Sequence, residues 1–277
     1  MIQFLDSELL AMVYDDVGLY DLTAEYLEVD TTALGEVTFF TREETVCAGI
    51  NVAKRMCELF SGVTVFEQRD GSHVKANDPL LIVRGNGVEL MKMHKVAQNV
   101  LEYSCGIAKR THKMVSFAKE VFPDIEIATT RKHIVGAKKL SINAAIAGGG
   151  IPHRLGLYDS ILIFPYYFVF KEDRTWQTKK YREKKIGFEA KSIEEALKYV
   201  KDVDMIQLDK EEPTVLKKSI ESLRALNPRI IIALAGGINE HNVREYAACF
   251  PDIIVSSAPY FAKPVDIGAK LVKIEHM

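Results

Sequence analysis

Nowhere in this chain do twenty apolar residues follow one another. The longest apolar run, Ile161–Phe170, holds ten residues and contains Pro165, whereas a bilayer-crossing helix needs about 20. No membrane span is expected. An excess of one charge is also missing. The 36 Lys+Arg against 38 Asp+Glu leave a formal net charge of −2, without the basic surplus with which a general nucleic-acid binder neutralises phosphates. Cysteine is sparse: Cys47, Cys57, Cys105 and Cys249 are scattered, with no C-x-x-C pair. A reduced, cytoplasmic setting is expected. The first residues carry Asp6 and Glu8 and no basic n-region, so no secretory signal is expected. Repeats and low-complexity stretches are absent too.

What is present is ordinary globular composition, 48% hydrophobic and 27% charged over 277 residues. At ~150 residues per domain, that length suits one large or two unequal domains.

The chain changes character near residue 104. Before it, short β-type runs, Val37–Phe40, Val63–Phe66 and Leu80–Val83, are punctuated by Gly71, Asn77-Asp78-Pro79 and Gly85-Asn86-Gly87. A helix is expected over 48–60, and the whole reads as a small open α+β sandwich. Met93, Val96, Ala97, Val100 and Leu101 then recur at helical spacing. A further helical segment is expected after Gly106, to about Val121.

From residue 124 strands and helices alternate. Candidate strands are 125–129, 160–164, 186–190, 204–208, 230–235 and 252–256. Ser192 with Glu195 forms a capping box, Pro213 suits a first helical turn, and Asn239 is a candidate cap. Such alternation implies a parallel sheet covered by helices, either an incomplete barrel or an open sheet.

Parallel α/β proteins place their chemistry at the carboxyl ends of the strands. Thr130-Arg131-Lys132, Glu189, Asp209-Lys210, Gly236-Gly237 and Ser256-Ser257 all fall there. Gly236-Gly237-Ile238 before a helix would offer backbone N–H groups to a phosphate, with Ser257-Ala258 completing the pocket. Alone, a Gly-Gly turn is more often a tight corner. Glu189 and Asp209, read as opposite on the rim, are oxygen ligands suited to Mg²⁺ or to ribose hydroxyls, or simply carboxylates on neighbouring turns. Gly148-Gly149-Gly150 lead to His153-Arg154. With Arg131 and Lys132 these make a cluster of cationic or potentially cationic groups that would repel unless an anion such as pyrophosphate lay between them.

At these residues the sequence resembles the quinolinate phosphoribosyltransferase family, the type II phosphoribosyltransferases. The resemblance rests on Thr130-Arg131-Lys132, Gly136, Gly148-Gly149-Gly150, His153-Arg154, Gly156-Leu157, Asp159 and Leu162-Ile163, joined by Gly106-Ile107-Ala108, Glu189, Leu208-Asp209, Gly236-Gly237-Ile238 and Ser256. Asp21-Leu22-Thr23 is similar to the family's Gly-Asp-x-Thr, with Tyr20 in place of Gly.

The resemblance implies an α/β fold. An N-terminal open-faced α/β sandwich (1–104) would precede a C-terminal incomplete (β/α) barrel (105–266), and a tail (267–277) would pack back on the first domain. It implies a homodimer with a shared active site. It also implies that Arg131, Lys132, His153 and Arg154 bind the substrate and phosphoribosyl pyrophosphate. Glu189 and Asp209 would serve Mg²⁺ and the ribose, and Gly236, Gly237, Ser257 and Ala258 the 5′-phosphate. Those first six would be the catalytic set.

Two departures stand out. The family's quinolinate enzymes carry an Arg where Tyr103 stands and a Lys where Phe164 stands. Two cationic contacts to a dicarboxylate are thereby lost, and quinolinate is expected to bind poorly. Leu101-Glu102-Tyr103, Leu162-Ile163-Phe164, Gln207-Leu208-Asp209-Lys210, Ala235-Gly236-Gly237-Ile238-Asn239 and Ser257-Ala258-Pro259-Tyr260 are similar to a molybdenum-utilisation subgroup, described as pyrophosphorylases associated with molybdate transport. Tyr166-Tyr167 stands where that subgroup often has a His.

The leading expectation is thus a Mg²⁺-dependent transferase that joins phosphoribose to a nitrogen acceptor other than quinolinate and releases pyrophosphate. Quinolinate turnover and non-catalytic binding of molybdate or another oxyanion are the alternatives. Met91-Lys92-Met93 copies the biotin-carrier motif. Lys92, however, opens a helical pattern rather than a hairpin tip, so a covalent cofactor there is not expected.

Overall fold

The computed structural model describes residues 1–18, 20–171, 175, 181 and 183–275. The elements begin with α1 (Asp6–Val17), α2 (Leu22–Tyr26), β1 (Leu34–Thr41), β2 (Thr45–Val46), α3 (Ile50–Leu59), β3 (Val63–Glu67), β4 (His73–Val74), β5 (Pro79–Asn86) and α4 (Gly87–Val121). There follow β6 (Glu126–Thr129), α5 (Lys138–Ala147), β7 (Ile151–Pro152), β8 (Ile161–Ile163), β9 (Ile186–Ala190) and α6 (Ile193–Tyr199). The chain closes with β10 (Met205–Asp209), α7 (Pro213–Leu226), β11 (Ile231–Ala235), α8 (Val243–Ala247), β12 (Ile253–Ser256) and β13 (Ile267–Lys273).

Two compact units result. The first takes residues 1–112, 134–149 and the stretch from Phe261 on; the second takes 113–133 and 150–260. No helix among the described residues is long and apolar enough to cross a membrane.

In the first unit an antiparallel sheet runs β13-β1-β5-β3. Strand β1 alternates strictly between half-buried and buried residues, the two-residue period of a strand with one face on the core. Val37 and Phe39 on that face are fully buried with Leu9 and Val13 of α1, Ile50 and Met56 of α3, and Leu90, Met93 and Leu101 of α4. β13 pairs with β1 from Gly35↔Lys273 to Thr41↔Ile267.

Helix α4 runs unbroken through Gly106, where the sequence suggested two segments. The glycine is there for clearance. A Cβ at position 106 would lie 2.5 Å from the carbonyl oxygen of Lys263, so the segment leading into β13 can pass only over a bare backbone. Lys92 sits in the second turn of α4, its ammonium paired with Glu89 at 2.7 Å, not on a hairpin tip.

In the second unit seven strands form one sheet in the order β7-β6-β12-β11-β10-β9-β8, every neighbouring pair parallel. The six expected strands are present. The seventh, β7, joins one edge, and β8 holds the other, so the sheet curls as an incomplete barrel. One face carries Ile127, Phe188, Ile206, Leu208, Ile232, Leu234 and Ile254, buried under Ala196, Leu216, Ile220, Leu223 and Val243 of the covering helices. Each such large side chain contributes about 1.5–3 kcal/mol by leaving water. The other face is lined by Ala128, Ala233, Ala235 and Val255. Small residues there leave room above the sheet.

Local signals hold with two adjustments. The Ser192 hydroxyl accepts from the Glu195 N–H at 3.3 Å, and Pro213 opens α7. Asn239, expected to cap α8, instead accepts from the His241 N–H in a tight turn, and the helix begins only at Val243, after Asn242.

Candidate active site

The site is assembled on the second unit from the carboxyl ends of its strands. At the end of β6, Thr129 is buried, and its hydroxyl accepts from the phenol of Tyr260 at 2.8 Å. The next residue, Thr130, accepts the Lys132 N–H on its side chain at 3.1 Å. This turn throws Arg131 and Lys132 outward, both exposed. Beside it the His153 N–H donates to the Thr129 carbonyl at 3.0 Å, which fixes His153 and Arg154 next to the Arg131-Lys132 turn.

Arg154 is only 5% exposed. One guanidinium nitrogen reaches the Ser160 carbonyl at 3.5 Å, the cation lies 5.6 Å above the Phe164 ring, and Nη2 has no partner among the described residues. Burial, and then Arg131 beside it, pull the Arg154 pKa below its ordinary value. Nε2 of His153 is likewise buried and, among the described residues, unpartnered. Burial and the neighbouring Arg154 bring this histidine down to about 4, so its ring is neutral near pH 7. The cluster therefore holds Arg131, Lys132 and Arg154 as cations, and His153 as a neutral hydrogen-bonding group. Among the described residues none of the three cations makes an ion pair.

Glu189 and Asp209 sit on adjacent strands, not on opposite sides of the rim as the spacing suggested. β9 and β10 pair with Glu189 across from Gln207, and Asp209 lies two residues further on the same face. The Gln207 amide donates to Glu189 Oε2 at 2.6 Å. Burial, followed by the Asp209 charge, raises the Glu189 pKa; the Gln207 bond, Lys132 and Lys210 oppose that rise. Two carboxylates held this close, with cations around them, form an all-oxygen donor set suited to a hard divalent ion that also binds substrate phosphates. No cluster of three or more metal-ligating side chains exists among the described residues, so any such ion would take its remaining ligands from water or substrate.

Gly236 and Gly237 follow β11 with φ of +97° and +75°. A Cβ on Gly236 would fall 2.5 Å from the Lys210 backbone nitrogen and 2.9 Å from an Asp209 carboxylate oxygen, so only glycine fits. Nothing lies within 4 Å of a Cβ at Gly237, which faces open space. The positive helix end expected behind this turn is not there, because α8 has five residues and begins at Val243. What the turn offers an anion is its own backbone. Ser256 ties it to β12, donating to the Ile238 carbonyl at 2.6 Å and accepting the Ala258 N–H at 3.0 Å. Ser257 and Ala258 follow, half-buried.

The second unit thus carries Arg131, Lys132, His153, Arg154, Phe164, Glu189, Asp209, Gly236, Gly237, Ser257 and Ala258. Tyr103 lies on α4 in the first unit, 49% exposed. Two contributors, Gln207 and Tyr260, stand in the stretches that carry the subgroup resemblance but were given no role in the site. Gln207 could have been found, since it is a polar residue in mid-strand, two before Asp209 and so on the same face. Tyr260 was legible only as part of the Ser257-Ala258-Pro259-Tyr260 resemblance, since its bond to Thr129 joins positions 131 residues apart.

Comparison with known proteins decides the family. The sequence profile of the quinolinate phosphoribosyl transferase N-terminal domain matches residues 21–105, and that of the C-terminal domain matches 107–270. The chain belongs to the quinolinate phosphoribosyl transferase family. Family membership makes it a phosphoribosyltransferase, a pentosyl-transferring enzyme. A Pasteurella multocida protein named "Putative pyrophosphorylase ModD" is 34% identical over 281 residues, covering 99% of each chain. A protein of the same name from Escherichia coli O157:H7 is 34% identical over 280 residues. An Archaeoglobus fulgidus protein named "Probable nicotinate-nucleotide pyrophosphorylase [carboxylating]" is 30% identical, covering 80% of this chain and 88% of its own. Among solved structures, NadC from Streptococcus pyogenes superposes with a TM-score of 0.87 at 23% identity over 99% of this chain and all of its own. The Ehrlichia chaffeensis nicotinate-nucleotide pyrophosphorylase gives 0.88 at 22%, over 98% and 100%. At such identities the structures establish the shared fold.

Proposed function

We propose that this member of the quinolinate phosphoribosyl transferase family moves phosphoribose from phosphoribosyl pyrophosphate to a ring nitrogen of a small acceptor other than quinolinate. The nitrogen lone pair forms the new bond to C1 of the ribose. The C1–oxygen bond breaks, and its electron pair leaves with pyrophosphate.

The observation that carries this reading is the buried Nη2 of Arg154, unpartnered among the described residues, beside two further cations with no ion pair among them. Like charges packed together without counter-charge favour an anion of high charge density. Arg131, Lys132 and Arg154 would hold the pyrophosphate and stabilise it as it departs. Neutral His153 would offer Nε2 as a hydrogen-bonding group. The Gly236-Gly237 turn with Ser257 and Ala258 would take the 5′-phosphate.

Glu189 and Asp209 would bind the ribose hydroxyls and Mg²⁺. The ion, when bound, would neutralise pyrophosphate charge. Their carboxylates would also favour the positive charge that develops at C1 as the bond opens.

The same reading includes a homodimer that shares its active sites, a cytoplasmic location and a physiological setting in molybdate utilisation, as the subgroup resemblance implies. Calorimetric titration with phosphoribosyl pyrophosphate and Mg²⁺ tests it. Saturable, Mg²⁺-dependent binding is expected. Absence of binding to the folded protein, or tight molybdate binding that excess donor does not displace, would reject it.

A further inference from the structure

Strand β10 carries a polar side chain where packing favours an apolar one. Ile206 and Leu208 turn into the aliphatic core under the helices, so Gln207, between them, points to the opposite face. That face is lined by Ala128, Ala233, Ala235 and Val255, with Met205 packed against them. Gln207 is only 5% exposed there. In register it stands opposite Ala233 on β11 and Glu189 on β9. The alanine offers nothing but a methyl group. Glu189 is the polar neighbour, and the Gln207 amide nitrogen donates to its Oε2 at 2.6 Å.

The other half of the amide makes no bond. Gln207 Oε1 is buried and has no hydrogen-bond partner among the described residues. An acceptor left in that state is destabilising, and ordering a long side chain adds an entropic cost. Methionine has nearly the same length and volume, suits an alanine-lined face and leaves no acceptor unsatisfied. Packing alone therefore does not account for an amide at this position. The bond to Glu189 does.

Glu189 is half-buried and shares its face with Asp209, two residues beyond Gln207. Like charges so placed drive the two side chains apart. A hydrogen bond from a neutral donor fixes one carboxylate oxygen and adds no charge, so the attraction of Glu189 for a hydroxyl or a cation is kept. Oε2 is engaged by Gln207, while Oε1 accepts no hydrogen bond from the described residues. A carboxylate whose rotamer is fixed beforehand binds more tightly than one that must be ordered by its ligand.

We propose that Gln207 is a positioning residue for the sugar side of the site: its amide clamps Oε2 of Glu189 and presents Oε1 to a ribose hydroxyl of the donor. The inference rests on the phosphoribosyl-transfer reading and adds to it a residue that acts only through Glu189 and touches neither phosphate group.

The test is calorimetric and uses the full chain. Two probes are titrated without metal: ribose 5-phosphate, which carries the sugar hydroxyls, and inorganic pyrophosphate, which has none. Phosphoribosyl pyrophosphate with Mg²⁺ is titrated into the wild-type protein as a check on the underlying reading. In Gln207→Met the affinity for ribose 5-phosphate should fall about tenfold, and that for pyrophosphate should not change. Gln207→Asn keeps an amide but is one carbon short of Glu189, and should show the same loss. In a Glu189→Ala background, Gln207→Met should change ribose 5-phosphate affinity by less than about twofold, because its route through Glu189 is gone. Thermal melts confirm that the proteins are compared in the folded state.

Unchanged ribose 5-phosphate affinity in the two Gln207 variants would overturn the inference. Equal losses for the two probes would do the same, since they mark a structural role, and so would full additivity of Gln207→Met with Glu189→Ala. Any of these outcomes beside a wild-type protein that binds phosphoribosyl pyrophosphate rejects the inference alone. A folded wild-type protein that does not bind that donor rejects the transferase reading, and the inference with it.

Discussion

Arginines on the helix layer of the second unit and arginines on its rim meet different fates. Arg244 pairs with Glu120 and lies 3.5 Å over the Phe117 ring, and Arg224 pairs with Asp252 at 3.2 Å. Arg154 is more deeply buried than either, yet among the described residues it makes only one long hydrogen bond, to a carbonyl. Arg131 and Lys132 beside it have no carboxylate partner among the described residues. A fold that supplies partners for its outer cations and withholds them at one rim is storing unfavourable electrostatics there. A bound anion would relieve it. The same contrast runs through the sheet, with large aliphatic residues on the helix-facing side and alanines on the side below the rim.

The sharpest way to break this comparison is to exchange the two fates. Arg154→Ala should weaken phosphoribosyl pyrophosphate binding by about 100-fold or more, because charge-assisted bonds to a buried anion are lost. The melting temperature should hold or rise, since an uncompensated buried cation is removed. Arg244→Ala should do the reverse, leaving donor affinity intact and lowering stability by about 1 kcal/mol through its surface pair and ring contact. Calorimetry and thermal melts on both variants check the pair. Equal effects on binding would remove the distinction.

Next in size is the carboxylate pair. Glu189→Gln with Asp209→Asn should lower kcat about 100-fold and abolish the activation by Mg²⁺, measured as pyrophosphate release against ion concentration. Undiminished Mg²⁺ activation would remove these residues from the metal site.

The histidine gives a pH-dependent prediction. Its folded pKa of about 4 lies below the ordinary 6.5, so the neutral ring is favoured by folding. The stability it contributes is present above pH 6.5 and is lost as pH falls toward 4. The loss amounts to roughly 3 kcal/mol across that window. His153→Asn should flatten the acid side of the stability–pH curve, as read by denaturant melts at pH 4 to 8. An unchanged curve would place the acid sensitivity elsewhere.

Smallest is the effect at the turn. Gly236→Ala forces a side chain into φ +97° and against Lys210, at a cost of about 1–3 kcal/mol. Weaker donor binding should accompany the loss of stability if, as proposed, the same turn holds the 5′-phosphate.

Much of this architecture could be read before any coordinates. The alternation of strands and helices from residue 124 on marks six of the seven parallel strands, because each is an apolar run bounded by turn residues. β7 was invisible: Ile151-Pro152 is two residues long, and no period can be read from two residues. α4 looked like two helices because glycine is a helix breaker by propensity. Its role at Gly106 is set by Lys263, more than 150 positions away. The rim residues stood out because charge and glycine at strand ends are local signals. The adjacency of Glu189 and Asp209, the neutral state of His153 and the length of α8 depend on burial and pairing that spacing does not encode. Tyr103 shows the remaining limit, since its place on α4 is legible as helix and its chemical surroundings are not.

One measurement bears most directly on the claim that the rim keeps its cations unpaired for a pyrophosphorylated sugar. It is the calorimetric affinity for phosphoribosyl pyrophosphate with Mg²⁺, compared between the wild-type chain and Arg154→Ala. Saturable binding that vanishes in the variant, with both proteins equally folded, is the predicted result. Binding of the same strength in both proteins, or in neither, would contradict it.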